Sequence, residues 1–249
     1  MNQPSIDAYI RDGYRQTVHE RREDDGKYYG LPHPYLVPAL GSGLDAYFYW
    51  DVYFANKGLL ESGLVQQAVW NVENHLHQVQ RWGFVPNINQ VHGNNRTQQP
   101  WLLFMVADVL GHIDEPGDFL KRHWPTLVTE YRFWQEQRQT PCGLNRNFHA
   151  ASPDWLDEFY RYLQENRFPG LHHSTPEERR EFASERLAEC EIWDFTPRFF
   201  GRVTAFAPVD LNANLFGYEK LFAEWAAATG ADDPAIWEAR ARERLERMN

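Results

Sequence analysis

The sequence predicts an all-α fold. Apolar residues recur at helical spacing through most of the chain, for example at Val65, Val69, Val72 and Leu76. Helix-capping residues, proline and glycine stand where these patterns begin or end. No segment alternates apolar and polar residues as a strand would. We expect about nine helices along the 249 residues.

Single residues indicate where these helices begin and end. Ser5 is a candidate N-cap, and Thr175 and Glu178 form a capping box with a proline between them at the first helical position. Gly230 ends the helix before it, and Pro125 should break or kink its helix. The predicted helices cover residues 5–20, 51–62, 64–81, 100–111, 118–138, 153–165, 176–190, 210–229 and 234–249, with a long loop at 21–44.

Composition argues against several classes of protein. The net charge of −10 and the lack of a Lys or Arg run disfavour nucleic acid and anionic membranes as partners. Neither a membrane-length apolar run nor an apolar leader is found, so we expect a soluble, cytoplasmic protein. Cys142 and Cys190 are far apart and the ten His residues lack metal-ligand spacing, so no metal ion or cofactor is expected. No linker divides residues 1–249, which favours one domain.

One acidic residue stands between two aromatic residues. Asp194 lies between Trp193 and Phe195, and Pro197 and Arg198 follow. Aromatic walls exclude water and raise the pKa of a carboxyl group, which suits a proton donor near neutral pH. The arginine could orient that carboxylate. The alternative is an aspartate that only forms a turn or caps a helix.

Two further segments combine aromatic and polar side chains. Residues 47–54 are an aromatic run interrupted by Asp51, and the loop at residues 83–100 contains Asn87 and Arg96. Aromatic faces stack on the C–H surfaces of sugars, while carboxylate, amide and guanidinium groups bind the hydroxyls. The three segments therefore predict a carbohydrate site.

These segments resemble those of the trehalase family, glycoside hydrolase family 37. The family's Tyr-Trp-Asp-x-Tyr-Phe motif is matched by residues 49–54, and its Ile-Pro-Asn-Gly-Asn segment by residues 85–89. Its Arg-Ser-Gln-Pro-Pro is matched by residues 96–100, its Ser-Gly-Trp-Asp-Phe by 191–195 and its Pro-Val-Asp-Leu-Asn-Ala by 208–213. All of these appear in the family's order.

The resemblance implies both a fold and a reaction. The family forms an (α/α)6 barrel of six helix pairs, and its members are inverting glycosidases that need a general acid and a general base. Asp194 matches the general acid. The residues that the resemblance implies contact the sugar are Trp50, Asp51, Asn87, Arg96 and Trp193.

Structural roles remain alternatives for several of these residues. Asp51 and Asp210 could each cap a helix, and Trp50 could belong to the core. Glu189 and Glu191 are interpreted mainly as charges at the end of a helix.

The sequence also departs from the family. Gly43-Leu44 and Ser152 stand where the family has arginines, so Arg96 alone is retained of three. No residue here matches the family's general base, which lies nearer its C-terminus. We therefore expect the N-terminal portion of the barrel, with about nine of its twelve helices.

Three functional alternatives follow. The substrate is α,α-trehalose or a related compatible-solute glucoside such as glucosylglycerate, as in the related family 63. Without a general base, the chain would bind sugar and not hydrolyse it, or would be an inactive fragment. A second copy or a partner chain could also complete the barrel.

Overall fold

The computed structural model describes residues 3–41 and 43–249, with side chains from residue 6 onward. This part of the chain is mainly helical, which confirms the predicted all-α class. The α-helices are α1 Gln3–Gln16, α2 Tyr49–Glu61, α3 Val65–Trp82, α4 Leu102–Leu110, α5 Pro116–Gln137, α6 Pro153–Asn166, α7 Pro176–Ile192, α8 Val209–Thr229 and α9 Pro234–Met248. Short 3₁₀ helices occupy Val91–Gly93, Pro197–Phe199 and Val203–Ala205.

A small antiparallel strand pair was not expected from the sequence. The strands β1 (Val18–His19) and β2 (Tyr35–Leu36) pair with Val18 opposite Leu36. Two-residue strands are too short to produce an alternating pattern, so only the tertiary structure shows them.

The first helix differs from its predicted bounds. It begins at Gln3, before the expected N-cap Ser5, and ends at Gln16 instead of residue 20. The hydroxyl of Thr17 donates to the carbonyl of Tyr14 at 2.8 Å, and the chain then enters β1. Pairing with β2 therefore ends this helix early.

The capping box at the start of α7 is confirmed. The backbone N–H of Glu178 donates to Oγ1 of Thr175, and the carboxylate of Glu178 accepts from the N–H of Thr175. The helix extends to Ile192, two residues beyond its predicted end. This extension places the end of α7 directly before Trp193.

Helix α5 continues through Pro125, so the predicted division into two pieces is wrong. Pro125 is on the exposed face, so water can satisfy the carbonyl that loses its helical donor. Trp124 and Leu127 on either side are buried, so both halves of the helix pack on the core.

Two apolar clusters organise the helices. The larger cluster joins α2, α3, α4, α5, α8 and α9, and within it Phe222 stacks on Trp237 with the ring centroids 4.1 Å apart. The smaller one lies between α6 and α7 and contains Leu156, Tyr160 and Leu187. Because α6 and α7 pack on each other, they form a separate wall beside the larger cluster.

A buried carboxyl group lies inside the larger cluster. Glu130 on α5 accepts a hydrogen bond from the indole of Trp134, and its second oxygen has no partner within the described residues. Burial raises the pKa of Glu130 to about 8. In the folded chain the carboxyl group of Glu130 therefore stays protonated at pH values where the same group in the unfolded chain has lost its proton.

Replacing Glu130 should change how stability depends on pH. Between pH 4.5 and about 8 the folded state binds the proton more tightly, so the free energy of unfolding falls as pH rises through this window. In Glu130→Gln this decline, on the order of a few kcal/mol, should largely disappear. Urea titrations at several pH values would measure it, with Glu136→Gln on the exposed side of α5 as the control. Parallel profiles for wild type and Glu130→Gln would contradict the expectation.

Candidate functional site

The backbone joins the first two motif segments edge to edge. The N–H of Tyr49 donates to the carbonyl of Asn87 at 3.3 Å, and the N–H of Asn89 donates to the carbonyl of Tyr47 at 3.1 Å. The side-chain oxygen of Asn89 also accepts from the N–H of Tyr47. The N–H of Asn87 donates to the carbonyl of Arg96 at 2.9 Å. These bonds bring residues 47–54, 85–89 and 96–100 to one place.

Side chains connect this pair of segments to the loop after α7. The side-chain oxygen of Gln98 accepts from the N–H of Trp50 at 2.8 Å. The ring of Trp50 stacks on the ring of Trp193, with the centroids 5.6 Å apart and an angle of 22° between the planes. The stacked indoles place Asp194 beside Asp51.

The backbone turns sharply at the predicted acid. Asp194 and Phe195 both have positive φ angles, of 37° and 61°, which side-chain-bearing residues adopt at a cost of roughly 1–3 kcal/mol. Such a conformation persists only where neighbouring contacts enforce it. These two residues therefore need anchors on both sides of the turn.

Asp210, in the first turn of α8, supplies one anchor. Its Oδ2 accepts from the indole nitrogen of Trp193 at 2.9 Å and from Nη1 of Arg198 at 2.6 Å. Arg198 therefore pairs with Asp210, and the expectation that it orients Asp194 is wrong. Asp210 does not cap α8 as expected, because the helix begins at Val209. Burial would raise the pKa of Asp210, but the hydrogen bonds from Arg198 and Trp193 lower it overall.

One cavity of about 730 Å³ lies at the meeting point of these segments. Its size is within the range of small-molecule sites. Of the six residues predicted to form the site, Trp193 does not line it and lies behind Trp50. The cavity is lined by Pro38, Leu44, Phe48, Trp50, Asp51, Asn87, Gln90, His92, Arg96, Gln98, Trp155, Glu158, Phe159, Tyr162, Arg167, Cys190, Asp194 and Phe195.

The carboxyl groups in the cavity differ in their surroundings. Burial raises the pKa of Asp51, and the negative charge of Asp194 raises it further. Asp51 lies in the first turn of α2, which begins at Tyr49, so it does not cap that helix. The side chain of Asp194 is exposed towards solvent, so the expectation that aromatic walls exclude water from it is wrong. Trp193 itself is 39% exposed.

Asn87 and Arg96 offer donors to the cavity. Asn87 is buried, and its amide nitrogen makes a weak 3.5 Å contact with the carbonyl of Cys190. Arg96 uses Nη1 to bind the carbonyl of His92 and the side chain of Asn95, while its Nε has no partner within the described residues. Burial lowers the pKa of Arg96. Both residues keep donor capacity for a ligand.

Sequence reasoning missed one wall of the cavity, which α6 provides. Trp155, Glu158, Phe159 and Tyr162 line it, and Arg167 follows just after the helix. The first four stand at helical positions i, i+3, i+4 and i+7, so they share one face of α6. A second aromatic face on a helix that already buries Leu156 and Leu163 is the signal that could have indicated this wall.

Glu191 lies in the last turn of α7, as expected of a charge at a helix end, but it is buried and binds three distant parts of the chain. It is fully buried, and its Oε1 accepts from the N–H of Thr97 at 2.9 Å and from Nη2 of Arg138 at 3.0 Å. Its Oε2 accepts from the N–H of Phe148 at 2.7 Å. The neighbouring Glu189 is also buried and pairs with Arg186, and burial raises the pKa of Glu189 to about 7.

The described part of the chain holds no group of three or more His, Cys, Asp or Glu side chains that could bind a metal ion. Over the same residues, no helix has the length and apolar character needed to cross a membrane.

The arrangement of the helices identifies the fold class. The chain superimposes on the neutral trehalase Nth1 from Saccharomyces cerevisiae with a TM-score of 0.69 and 23% sequence identity, over 97% of this chain. This similarity shows the fold, an (α/α)6 helical barrel, as the resemblance implied. A family model described as Trehalase matches residues 3–249, so the chain belongs to the trehalase family.

Curated relatives agree with this assignment. The periplasmic trehalase of Salmonella typhimurium strain LT2 is 32% identical over 219 residues, covering 80% of this chain and 38% of the relative. The periplasmic trehalase of Citrobacter koseri is 30% identical over 248 residues, covering 89% of this chain and 42% of the relative. The chain thus spans about two fifths of these relatives and 51% of the yeast structure.

Removing the carboxylate of Glu191 should destabilise the fold. In Glu191→Ala, Arg138 becomes an unpaired buried charge and two backbone N–H groups lose their acceptor, at a cost of roughly 3–5 kcal/mol. Urea unfolding followed by tryptophan fluorescence would measure the loss. The control is Glu238→Ala, which removes the exposed pair with Arg242 and should cost less than about 1 kcal/mol. Equal losses in the two variants would refute the assigned role.

Removing the carboxylate of Asp210 should free the turn that carries Asp194. Backbone amides at 193–200 should exchange with deuterium at least roughly tenfold faster in Asp210→Ala, because Trp193 and Arg198 lose their common acceptor. A matched control is Asp232→Ala, which removes a similar bond to the indole of Trp237 away from the cavity. Unchanged exchange at 193–200 in Asp210→Ala would show that this anchor is not needed.

Proposed function

We propose that this chain forms the acid-bearing part of an inverting α-glucosidase, and that Asp194 is its general acid. One observation carries the proposal. Asp194 lines the same cavity as Asp51, Asn87 and Arg96, although these residues come from three segments far apart in the sequence. The described surface of that cavity combines aromatic rings with charged and amide groups, which suits a sugar.

Each group has a role that follows from its chemistry. The exposed carboxyl group of Asp194 can reach a glycosidic oxygen in the open cavity and donate its proton as the bond to the leaving sugar breaks. Trp50, supported from behind by Trp193, presents a flat face for the sugar ring. Asp51 accepts from sugar hydroxyls, while Asn87 and Arg96 donate to them. Since Trp193 supports Trp50 and does not line the cavity, its role is indirect.

An inverting reaction also needs a base to activate water, typically about 6.5–9.5 Å from the acid. Besides Asp194, the carboxylates that line the described cavity are Asp51 and Glu158. Family resemblance assigns the base to neither of them. We therefore keep sugar binding without turnover as the second candidate function, and Glu158→Gln belongs in the activity test below.

The substrate class rests on the same cavity. An α-glucoside such as trehalose is the first choice, because the chain belongs to the trehalase family. Arg167 lines the cavity together with Arg96, and two guanidinium groups can bind a carboxylate. This pair favours glucosylglycerate, whose aglycone carries a carboxylate, as the alternative substrate.

Location and assembly stay predictions. The cytoplasmic location expected from the sequence contrasts with relatives whose names describe them as periplasmic. Completion of the barrel by a second copy or a partner chain is a proposal that size measurement in solution would test.

The first measurement is release of glucose from trehalose, glucosylglycerate and other α-glucosides. Asp194→Asn should lower kcat roughly 10²–10⁴-fold on whichever substrate the wild type cleaves, because amides cannot act as general acids. Asp7→Asn replaces an exposed aspartate of α1 and should keep full activity. Retained turnover in Asp194→Asn would exclude this residue as the acid.

The same panel separates the two candidate functions. If the wild type binds sugar by calorimetry but releases no glucose, the chain binds without turnover. If it releases glucose and Glu158→Gln does not, a base is present within the described cavity. If the wild type prefers glucosylglycerate and Arg167→Gln loses this preference, the anionic substrate is supported.

A further inference from the structure

A second cavity, of about 480 Å³, lies on the other side of α6 from the proposed sugar site. Its α6 residues, at 157, 160, 161 and 164, are about half a turn from those at 155, 158, 159 and 162 that line the first cavity. The start of α7 and the loop before it form the opposite side. The lining consists of Asp157, Tyr160, Arg161, Gln164, His172, His173, Pro176, Arg179 and Arg180.

The charge of this lining is the reverse of that of the whole chain. Three arginines face a single carboxylate, so the cavity carries an excess of two positive charges before either histidine is protonated. The chain as a whole has a net charge of −10. In the first cavity three carboxylates outnumber two arginines. Positive charge is therefore concentrated in the second cavity against the general composition.

The single carboxylate is already bound by an arginine. Arg180 donates to both oxygens of Asp157, from Nε at 2.9 Å and from Nη2 at 2.7 Å. These bonds keep the pKa of Asp157 below its usual range. Since Arg180 neutralises Asp157, the charges of Arg161 and Arg179 remain available.

Several donors in the cavity have no internal acceptor. Arg179 uses Nε to bind the carbonyl of His173, and neither of its terminal nitrogens has a partner among the described residues. Arg161 makes no hydrogen bond or ion pair in that part of the chain, and His172 makes no hydrogen bond there. Tyr160 is buried and hydrogen-bonds to His173, which holds that ring beside the arginines.

The N-terminus of α7 does not account for this arrangement. Of its first-turn residues, Pro176 has no N–H to donate, and the N–H of Glu178 is already bound by Oγ1 of Thr175 in the capping box. An anion in the cavity would therefore be bound by side chains. Guanidinium groups bind phosphate with two parallel hydrogen bonds, and such charge-assisted bonds are about twice as strong as neutral ones.

The volume indicates what else the ligand contains. A cavity of about 480 Å³ is in the range that holds small organic molecules and exceeds what a lone phosphate group fills. Gln164 and the histidines provide polar groups beyond the arginines. We propose that the cavity between α6 and α7 binds a small phosphate monoester, with Arg161 and Arg179 holding the phosphate.

Isothermal titration calorimetry of the full chain with three ligands tests this proposal. Glucose 6-phosphate should bind in the presence of excess glucose, which occupies the proposed sugar site, and inorganic phosphate should bind more weakly and compete with it. Arg161→Gln should weaken glucose 6-phosphate binding roughly 10–100-fold, because one charge-assisted contact is lost. Arg161 is exposed and unpaired in the described chain, so the variant should fold as the wild type does.

Two controls separate a built site from general attraction to positive charge. Arg132→Gln removes an exposed arginine of α5 that pairs with Glu136, and it should leave affinity unchanged. Asp157→Asn keeps the shape of the cavity, removes its one negative charge and should tighten binding. The proposal is overturned if the wild type does not bind either phosphate compound, or if Arg161→Gln and Arg132→Gln weaken binding equally. Neither result depends on glycosidase activity.

Discussion

At the end of α7, a fully buried carboxylate holds together parts of the chain that are far apart in sequence. Glu191 accepts from Thr97 in the loop that carries Arg96, from Arg138 at the end of α5, and from Phe148 before α6. Burying a carboxylate is costly unless a counter-charge and hydrogen bonds satisfy it, and here both oxygens are satisfied. The geometry of the cavity therefore depends on this one side chain.

The turn after α7 depends on contacts from both sides. Glu191 fixes the helix end before the turn, and Asp210 fixes Trp193 and Arg198 around it. Between these anchors, two residues in the left-handed region point a carboxyl group into an open cavity. Strain of this kind persists only where the surroundings enforce it. The anchors explain how an exposed aspartate can still have a defined position.

Helix α6 serves two cavities of opposite charge. Its aromatic face borders the first cavity, the proposed sugar site. The face about half a turn away carries Asp157 and Arg161 beside the arginines of α7. The apolar residues between these faces pack on α7. Because residues two positions apart lie on nearly opposite faces of a helix, one helix can separate a proposed sugar site from a proposed anion site.

The sequence by itself determined the helical class, most helix bounds and the capping box at Thr175, because periodicity and capping are local signals. Family motifs also indicated which segments would meet around Asp51, Asn87, Arg96 and Asp194. Only the tertiary structure decided that α5 continues through Pro125, that Arg198 pairs with Asp210, and that α6 supplies a wall. These outcomes depend on burial and on partners distant in the chain, which spacing along the sequence does not encode.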